Sequence, residues 1–354
     1  MTLTKHSSVS TKDICKMVNS IEHLKNLPAI FCLSGSPFQA MCMMEAINTF
    51  QIKDYKVLLC LSQSELPRKP QLVELLNKYG IKYEIESTNF KITKSERIKA
   101  FSHKRHKYKL AFIGDCNNEL LIFKAFRYVS DGGTLIYLDD GIATIQFYNG
   151  LCQLNGKLHK YYNLISKFRD IDFDRFFYTI YRGLEDHKHI SIPNDFRYLS
   201  EKHCGTKPQK HVIVLGTCTD DFCRMEQIET SIFLAEQKKL IAEIKNIYSD
   251  DEIIFVPHGR DVYNKPRQDC AELGVKFNPT SISVEMFLLE SPFIPKAIFG
   301  YTSSALYNLR LLMPESDIVN ISFCGNKPQN DRIEITSQYY AQNGIRREIR
   351  ELNN

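Results

Sequence analysis

Short apolar runs alternate with amphipathic stretches along most of the chain, and this alternation limits the fold more than any other feature. The apolar runs lie at residues 28–33, 55–61, 108–114, 134–138, 211–217, 252–256, 296–300 and 317–321. Apolar residues at helical spacing separate them, most clearly around 118–129 and 230–248. Strands that alternate with helices form parallel sheets covered by helices. The sequence therefore predicts an α/β protein.

Length and composition favour two domains. The chain has 354 residues, 43% of them hydrophobic and 25% charged, which is typical of a globular protein with more than one core. We predict an N-terminal Rossmann-like domain over residues 1–205, with a helical, aromatic and basic insertion at 151–200. A C-terminal Rossmann-like domain is predicted over 206–335 and a C-terminal helix over 336–354. The two domains are expected to face each other across a cleft.

Cysteine usage and hydropathy bear on the cellular compartment. The eleven cysteines lack a short paired spacing, and no signal peptide is recognised, which favours a reducing compartment such as the cytoplasm. No apolar run reaches the roughly 18 residues of a membrane span. The net charge of +5 is mild, and no nucleic-acid partner is expected.

Two basic segments raise the question of membrane contact. Residues 104–109 form a compact basic cluster, and residues 151–200 mix aromatic with basic side chains. Such a composition predicts peripheral contact with anionic lipid at the inner membrane. For the first segment, the alternatives are a solvated charged face and a site for a phosphorylated sugar. For the second, they are an acceptor-binding surface and a pair of helices packed between the domains.

A strand, a turn and a helix open the first domain. The apolar run 28–33 ends in Ser34-Gly35-Ser36-Pro37, and a helix-forming stretch follows. Pro37 suits the first helical turn and Ser36 suits the cap. A helix N-terminus at this point can bind an anion. A plain structural turn is the alternative, since Gly35 stands without the full dinucleotide fingerprint.

An acidic pair follows the strand-like run 134–138. Asp139 and Asp140 come where that strand should end, and Gly141 permits a sharp turn. Ligands bind at the carboxyl ends of strands in open α/β sheets. Neighbouring carboxylates repel, so one of them tends to hold a proton, which suits general-base chemistry. The alternative is a solvated Asp-Asp-Gly turn.

Two further motifs lie at strand ends in the second half. His258 leaves the run 252–256 with Arg260 close behind, a combination that can meet a phosphate. Ser303 and Ser304 follow the run 296–300 at a helix start, where hydroxyls and backbone N–H groups can bind an anion. The alternatives are a structural histidine and simple N-capping by Ser303.

Taken together, these motifs resemble those of bacterial sialyltransferases of the two-domain GT-B type. An acidic pair with glycine, a histidine at a strand end and a serine pair follow in the same order as in that family. Residues 33–40, with Glu45 after them, are similar to the start of the lipooligosaccharide sialyltransferase branch, and the related capsular polysialyltransferases share the three motifs. The resemblance implies a GT-B-like fold of two Rossmann-like domains.

On the acceptor side, the resemblance implies that Asp139 is the general base that deprotonates the acceptor hydroxyl. Further residues of this half are expected to bind substrate, namely Asp140, Gly141, Ser34, Gly35 and Gln39.

On the donor side, the resemblance implies that His258 donates a hydrogen bond or a proton to the departing cytidylate phosphate. Ser303 and Ser304 would bind the same phosphate, and Glu285 the ribose hydroxyls. Substrate contacts are also expected from Gly216, Thr217 and Arg260.

One position departs from the family pattern. The family usually has proline after the histidine, whereas here Gly259 follows it and Pro257 precedes it. This exchange loosens the backbone after His258 but keeps the imidazole.

The implied reaction is an inverting, metal-independent transfer of sialic acid from CMP-sialic acid to a galactose-type hydroxyl of a bacterial surface glycan, either lipooligosaccharide or capsule. CMP leaves as a monophosphate with no diphosphate to neutralise, so no metal or other cofactor is required. In another interpretation, Asp139 and Asp140 bind a divalent cation. Alternatives within the class are a polysialyltransferase and a transferase of another CMP-nonulosonic acid.

Two other classes of protein remain open at this point. One is a nucleotide-sugar epimerase or hydrolase, and the other is a non-catalytic nucleotide-sugar binding protein. The family includes dimers, so the resemblance also implies self-association as a homodimer.

Overall fold

The computed structural model describes residues 21–61, 66, 69–87, 107–116, 118–141, 143–144, 167, 169–183, 189–202, 208–280, 282–324 and 332–351. The chain divides into two compact units, Met1–Tyr198 and Leu199–Asn354. The division lies a few residues before the predicted boundary at 205/206. Residues 104–106 of the basic cluster and residues 151–166, 168 and 184–188 of the predicted insertion lie outside the described residues.

Unit 1 contains a parallel sheet with helices between its strands. Its strands are β1 Ala29–Leu33, β2 Tyr55–Leu61, β3 Glu84–Ser87, β4 Tyr108–Ile113, β5 Val129–Leu138, β6 Ile171–Thr179 and β7 Ile190–Pro193. Its helices are α1 Pro37–Thr49, α2 Lys69–Lys78, α3 Glu119–Tyr128 and α4 Arg197–Ser200, the last of which crosses the boundary between the units.

The strand order in unit 1 places β1 beside β4. Within the described residues the order is β3-β2-β1-β4-β5-β6-β7, and the pairings of β1 with β2 and with β4 are parallel. All five residues of β1 are buried, as expected for a central parallel strand covered on both faces. The chain first builds the sheet towards β3 and then returns to build it towards β7. Ligands bind at such a topological switch point, beyond the carboxyl ends of the strands.

Unit 2 repeats this architecture with six strands among its described residues. They are β8 Pro208–Leu215, β9 Glu252–Val256, β10 Lys276–Phe277, β11 Ile294–Gly300, β12 Asp317–Cys324 and β13 Arg346–Glu351, in the order β10-β9-β8-β11-β12-β13. The helices are α5 Thr219–Glu226, α6 Thr230–Ile247, α7 Lys265–Leu273, α8 Val284–Glu290, α9 Ser304–Leu312 and α10 Arg332–Gln342. The switch point of this sheet lies between β8 and β11. Aromatic rings of Phe222, Phe233, Tyr301 and Phe323 pack together in its core.

The prediction of a helical insertion at 151–200 is wrong for the part that the structure describes. Residues 171–179 and 190–193 are strands β6 and β7, and only Arg197–Ser200 at the end is helical. The run from Phe176 to Thr179 consists of aromatic and β-branched residues, which favour a strand. Phe176, Phe177 and Tyr178 are buried in the core of unit 1. These aromatic rings are therefore not available to a membrane.

Arg169, a basic residue of the same stretch, is also buried. Its guanidinium pairs with Asp131 and donates hydrogen bonds to the carbonyl oxygens of Phe126, at 3.2 Å, and Val129, at 2.8 Å. It ties the end of α3 to the start of β5. This cation acts within the fold of unit 1.

The prediction of a C-terminal helix over 336–354 is partly wrong. Helix α10 ends at Gln342, and after Gly344, at a φ of 80°, residues Arg346–Glu351 pair with β12 as the edge strand β13. The side chains of β13 alternate between the two faces of the sheet, and most of them are charged. Charge on both faces hides the strand pattern from a reading by hydrophobicity. No helix in the described part of the chain is both long and apolar enough to cross a membrane.

Candidate active site

The loop between β1 and α1 is organised by Gln39. This residue is fully buried, and its Oε1 accepts hydrogen bonds from the Ser34 backbone N–H at 2.8 Å and the Ser34 hydroxyl at 3.0 Å. Gly114, at the end of β4, leaves room for it, because a Cβ there would lie 2.6 Å from Gln39 Oε1. Gly35 is buried between Ser34 and the cap of α1. The predicted anion loop is thus filled in part by a side chain of α1.

Gln39 joins this loop to the acidic pair. Its Nε2 donates to Asp140 Oδ1 at 2.8 Å, and the Asp140 backbone N–H donates to Thr144 Oγ1 at 3.0 Å. Gly141 takes a φ of 60°, in the left-handed region that glycine adopts without strain. The turn after β5 therefore holds Asp140 half-buried in a defined position.

Asp139 has a different environment from Asp140. Its side chain exposes 0% of its surface. Its Oδ1 accepts from the Thr179 hydroxyl at 2.6 Å and its Oδ2 from the Ile180 backbone N–H at 2.7 Å. Burial raises the pKa of Asp139 from 3.8 to about 7, against the lowering effect of hydrogen bonds from Thr179, Ile180 and Thr144.

The residues that follow strands β1, β4, β5 and β6 lie at one edge of the unit 1 sheet. Ser34 follows β1, Gly114 follows β4, the acidic pair follows β5 and Ile180 follows β6, and these four strands are consecutive neighbours in the sheet. The structure therefore places Ser34, Gly35, Gln39, Asp139, Asp140 and Gly141 at one edge of the sheet. Sequence reasoning missed Thr179, because nothing in the spacing indicates that its strand lies beside β5.

In unit 2, His258 lies at the end of β9 against Gly216. The Gly216 N–H donates to the Val256 carbonyl at 2.8 Å, and a Cβ on Gly216 would lie 3.1 Å from the backbone nitrogen of His258. This close approach explains why glycine follows β8. The Arg260 N–H donates to His258 Nδ1 at 3.2 Å, so a neutral His258 carries its ring hydrogen on Nε2. Its imidazole is half-buried.

Arg260 has a carboxylate partner in the structure. Its guanidinium lies 3.1 Å from Asp221 Oδ2 and is 50% exposed. Asp221 and Asp220 occupy the first turn of α5, which follows half-buried Thr217. The Thr219 backbone N–H at the start of this helix also donates to Asp261. Carboxylates already neutralise the α5 N-terminus, so it is a poor site for a phosphate.

Unlike the N-terminus of α5, the N-terminus of α9 has no acidic side chain in its first turn and is held by neutral groups. Ser303 caps the helix, with its hydroxyl accepting from the Ala305 N–H at 3.3 Å, and Ser304 begins it. The first turn, Ser304-Ala305-Leu306, carries no acidic residue. Both serines are half-buried. The capping alternative is therefore confirmed for Ser303, and the helix end keeps a positive partial charge that suits an anion.

Asn320 on β12 fixes the loop that leads into α9. Its Oδ1 accepts from the Thr302 N–H at 2.7 Å and from the Thr302 hydroxyl at 3.2 Å, while its Nδ2 donates to Ser337 at 3.0 Å. Thr302 has a φ of 34°, which costs energy for a β-branched residue. The Tyr340 hydroxyl donates to the Ser303 carbonyl at 2.9 Å. These buried partners on β12 and α10 were not recognisable from the sequence.

Glu285 lies in the first turn of α8 and is buried. Its Oε1 accepts from Asn308 Nδ2 at 2.8 Å. Asn308 belongs to α9, so this contact joins the predicted ribose carboxylate to the helix that carries Ser304. Sequence reasoning missed Asn308, which lies among the apolar residues of its helix.

Metal binding was left open by the sequence. Among the residues with described positions, no group of three or more His, Cys, Asp or Glu side chains is arranged to hold a metal ion. The acidic pair has the amide, hydroxyl and backbone partners given above.

Comparison with known proteins gives matches among solved structures. No family model and no curated protein matches the chain. The GT-B domain of a sialyltransferase from Photobacterium damselae, its residues 113–497, superposes with a TM-score of 0.53 at 12% identity, covering 91% of this chain and 99% of that chain. A 2,6-sialyltransferase from a Photobacterium species, solved with the donor product CMP and the acceptor substrate lactose, gives 0.51 at 12% identity, covering 90% and 78%.

At this level of identity the likeness concerns the fold. The predicted class, α/β with two Rossmann-like units of the GT-B type, is confirmed.

Proposed function

We propose that this protein is an inverting, metal-independent glycosyltransferase that moves sialic acid from CMP-sialic acid to a galactose-type hydroxyl of a bacterial surface glycan. Unit 1 supplies the base and binds the acceptor, and unit 2 binds the cytidylate. The fold shared with two Photobacterium sialyltransferases supports the class of enzyme. The residues at the two sheet edges support the chemistry.

One observation carries the proposal. Each predicted motif lies at the carboxyl edge of the sheet of its own unit, where α/β proteins bind ligands. In unit 1 this edge presents the acidic pair after β5. In unit 2 it presents His258 after β9 and, after β11, the N-terminus of α9, whose first turn carries no acidic residue.

The acidic pair supplies a carboxylate that can act as the base. The acceptor O–H gives its proton to a carboxylate while the acceptor oxygen bonds to the anomeric carbon of sialic acid. The bond from that carbon to the phosphate oxygen of CMP breaks, and its electron pair leaves with CMP. Attack from the face opposite the leaving group inverts the anomeric centre.

Unit 2 supplies hydrogen-bond donors that can stabilise the leaving phosphate. His258, with its hydrogen on Nε2, donates a hydrogen bond to a phosphate oxygen on which negative charge grows. The N–H groups and hydroxyls of Ser303 and Ser304 bind the same phosphate. Glu285, oriented by Asn308, accepts from the ribose hydroxyls. A monophosphate spread over these donors needs no metal.

The decisive experiment is incubation of the full chain with CMP-sialic acid and a small panel of lactose-type and sialylated acceptors. Mass and linkage analysis should show one sialic acid added to a galactose-type acceptor, with CMP released in equal amount. The variants His258→Ala, Ser303→Ala and Ser304→Ala should each transfer sialic acid more slowly than the wild type. Asn343→Ala, in the turn after α10, serves as a matched control in unit 2.

Other products would identify the alternative functions. Long products on sialylated acceptors would indicate a polysialyltransferase, and turnover of another CMP-nonulosonic acid would change the donor. Free sugar without acceptor would indicate a hydrolase or epimerase. CMP binding without turnover would indicate a binding protein, and absence of both would refute the proposal.

The cellular setting of the proposed enzyme stays a prediction. The cysteines favour the cytoplasm, where CMP-sialic acid would be used, and the resemblance favours a homodimer. Contact of residues 104–109 and of the remaining part of 151–200 with the inner membrane stays a prediction, although Phe176, Phe177 and Tyr178 of that stretch are buried.

A further inference from the structure

The two carboxylates of the acidic pair are not equivalent. Asp139 exposes 0% of its surface, and each of its oxygens accepts a hydrogen bond from unit 1 itself, one from Thr179 and one from Ile180. A general base must come within about 3 Å of the proton that it removes. A side chain enclosed in this way meets no hydroxyl that arrives from outside.

Asp140 has the exposure that Asp139 lacks. It is half-buried at the same strand end, directly before the Gly141 turn. Its Oδ1 accepts from Gln39 Nε2 at 2.8 Å, and its backbone is held by Thr144 at 3.0 Å. The carboxylate is therefore both accessible and fixed in place.

Gln39 is oriented without ambiguity. Its Oε1 accepts from two donors of Ser34, the N–H and the hydroxyl, so the amide nitrogen must face Asp140. A neutral amide donor orients a carboxylate without the strong pKa depression that an arginine or lysine would cause. Gln39 therefore sets the position of Asp140 without adding a charge beside it.

We propose that Asp140, rather than Asp139, is the catalytic base, and that Gln39 is its positioning residue. The inference rests on the proposed function and specifies its acceptor side. The proton of the acceptor O–H passes to Asp140 as the acceptor oxygen bonds to the anomeric carbon and CMP leaves with the electron pair of the broken bond. Asp139 holds Thr179 of β6 and the following Ile180 against the end of β5.

A matched pair of isosteric variants tests the assignment. Asp140→Asn is expected to lower kcat by about 10²–10⁴-fold, the usual contribution of a general base. Asp139→Asn is expected to cost about tenfold, because the amide oxygen still accepts from Ile180 and the amide nitrogen can donate to Thr179. CMP affinity, measured by calorimetry, should change less than about twofold in both, since the cytidylate residues belong to unit 2. Equal losses in the two variants, or a larger loss for Asp139→Asn, would overturn the assignment.

A pH profile tests the role of Gln39 separately from folding. Gln39→Glu keeps an acceptor for Ser34 and places a second carboxyl beside Asp140. Two carboxyl groups that share a site raise one pKa, so the acid limb of kcat/KM should move up by about one pH unit or more. Gln39→Met removes the donor without adding charge and should lower kcat with a smaller shift. An acid limb that stays at the wild-type pH in Gln39→Glu refutes the positioning role.

Failure of the proposed function is distinguishable from failure of this assignment. If the wild-type protein neither binds CMP nor converts CMP-sialic acid, the function itself is refuted. If the wild type transfers sialic acid and the order of the two aspartate variants is reversed, the function stands and the assignment of the base fails.

Discussion

The buried carboxyl of Asp139 should make the stability of unit 1 depend on pH. In the unfolded chain this group releases its proton near its ordinary pKa of 3.8, and in the folded chain near 7. Between these values the folded state binds more protons than the unfolded state, so the free energy of unfolding falls as the pH rises. Above about pH 7 both states are ionised, and the loss is complete.

The size of the effect follows from the shift. The pKa of Asp139 rises from 3.8 to about 7 on folding. About two units of this rise lie above pH 5, where the unfolded carboxyl is already ionised. At about 1.4 kcal/mol per unit, the folded state should lose about 3 kcal/mol of stability between about pH 5 and about pH 8. Asp139→Asn removes this titration and keeps the shape of the side chain.

The measurement is urea unfolding of wild type and Asp139→Asn at both pH values. The chain contains no tryptophan, so far-UV circular dichroism is the suitable probe. The difference in unfolding free energy between the two proteins cancels the other titrating groups, and it should move in favour of the variant by about 3 kcal/mol from the lower to the higher pH. A difference that stays constant within about 0.5 kcal/mol would show that the native pKa of Asp139 is not raised.

Three shorter predictions concern the two sheet edges and the metal. Gly114→Ala should displace the Gln39 amide, which a Cβ would approach to 2.6 Å, and lower kcat about tenfold with unchanged CMP affinity; an unchanged kcat would contradict the role of this contact. Asn320→Ala should release the strained Thr302 loop and weaken CMP binding by about tenfold in calorimetry, whereas Asn320→Asp, which keeps the acceptor, should lose less. Incubation with a chelator should leave the transfer rate unchanged, and a loss that magnesium restores would refute metal independence.

The elements with clean periodicity were predictable from the sequence. The run at 55–61 is β2 with the same bounds, and the stretch at 230–248 is α6 to within one residue. Both are regular because a parallel strand buried on both faces reads as continuous apolar sequence and an amphipathic helix reads with a period of 3.6.

The prediction failed where polarity masked the period. In β6, residues 171–174 alternate apolar with charged side chains, but Arg175 and three aromatic residues then break the period, and β13 is charged on both faces. The edge position of β13 permits such a sequence because one side of the strand has no neighbour, whereas β6 is paired on both sides and buries Phe176, Phe177 and Tyr178. The strand pairing that creates these positions is a long-range property.

The candidate site was predictable in its chemistry but not in its supporting contacts. The motif residues can be recognised in the sequence because acidic, histidine and serine side chains follow strand-like apolar runs. The partners that orient them, such as Thr179 for Asp139 and Asn320 for Thr302, lie on neighbouring strands far along the chain. Their pairing becomes visible only when the order of strands in each sheet is known.

Strand β13 is anchored to three other elements of unit 2 by ion pairs. Each of three arginines on it reaches a carboxylate of a different element: Arg346 reaches Asp317 of β12, Arg347 reaches Glu334 of α10, and Arg350 reaches Glu243 of α6. Ion pairs near a surface add little strength singly, but three anchors in six residues lock the strand in a single register. Cutting the chain after Gly344 would bare the edge of β12, and an unpaired strand edge can pair with another chain.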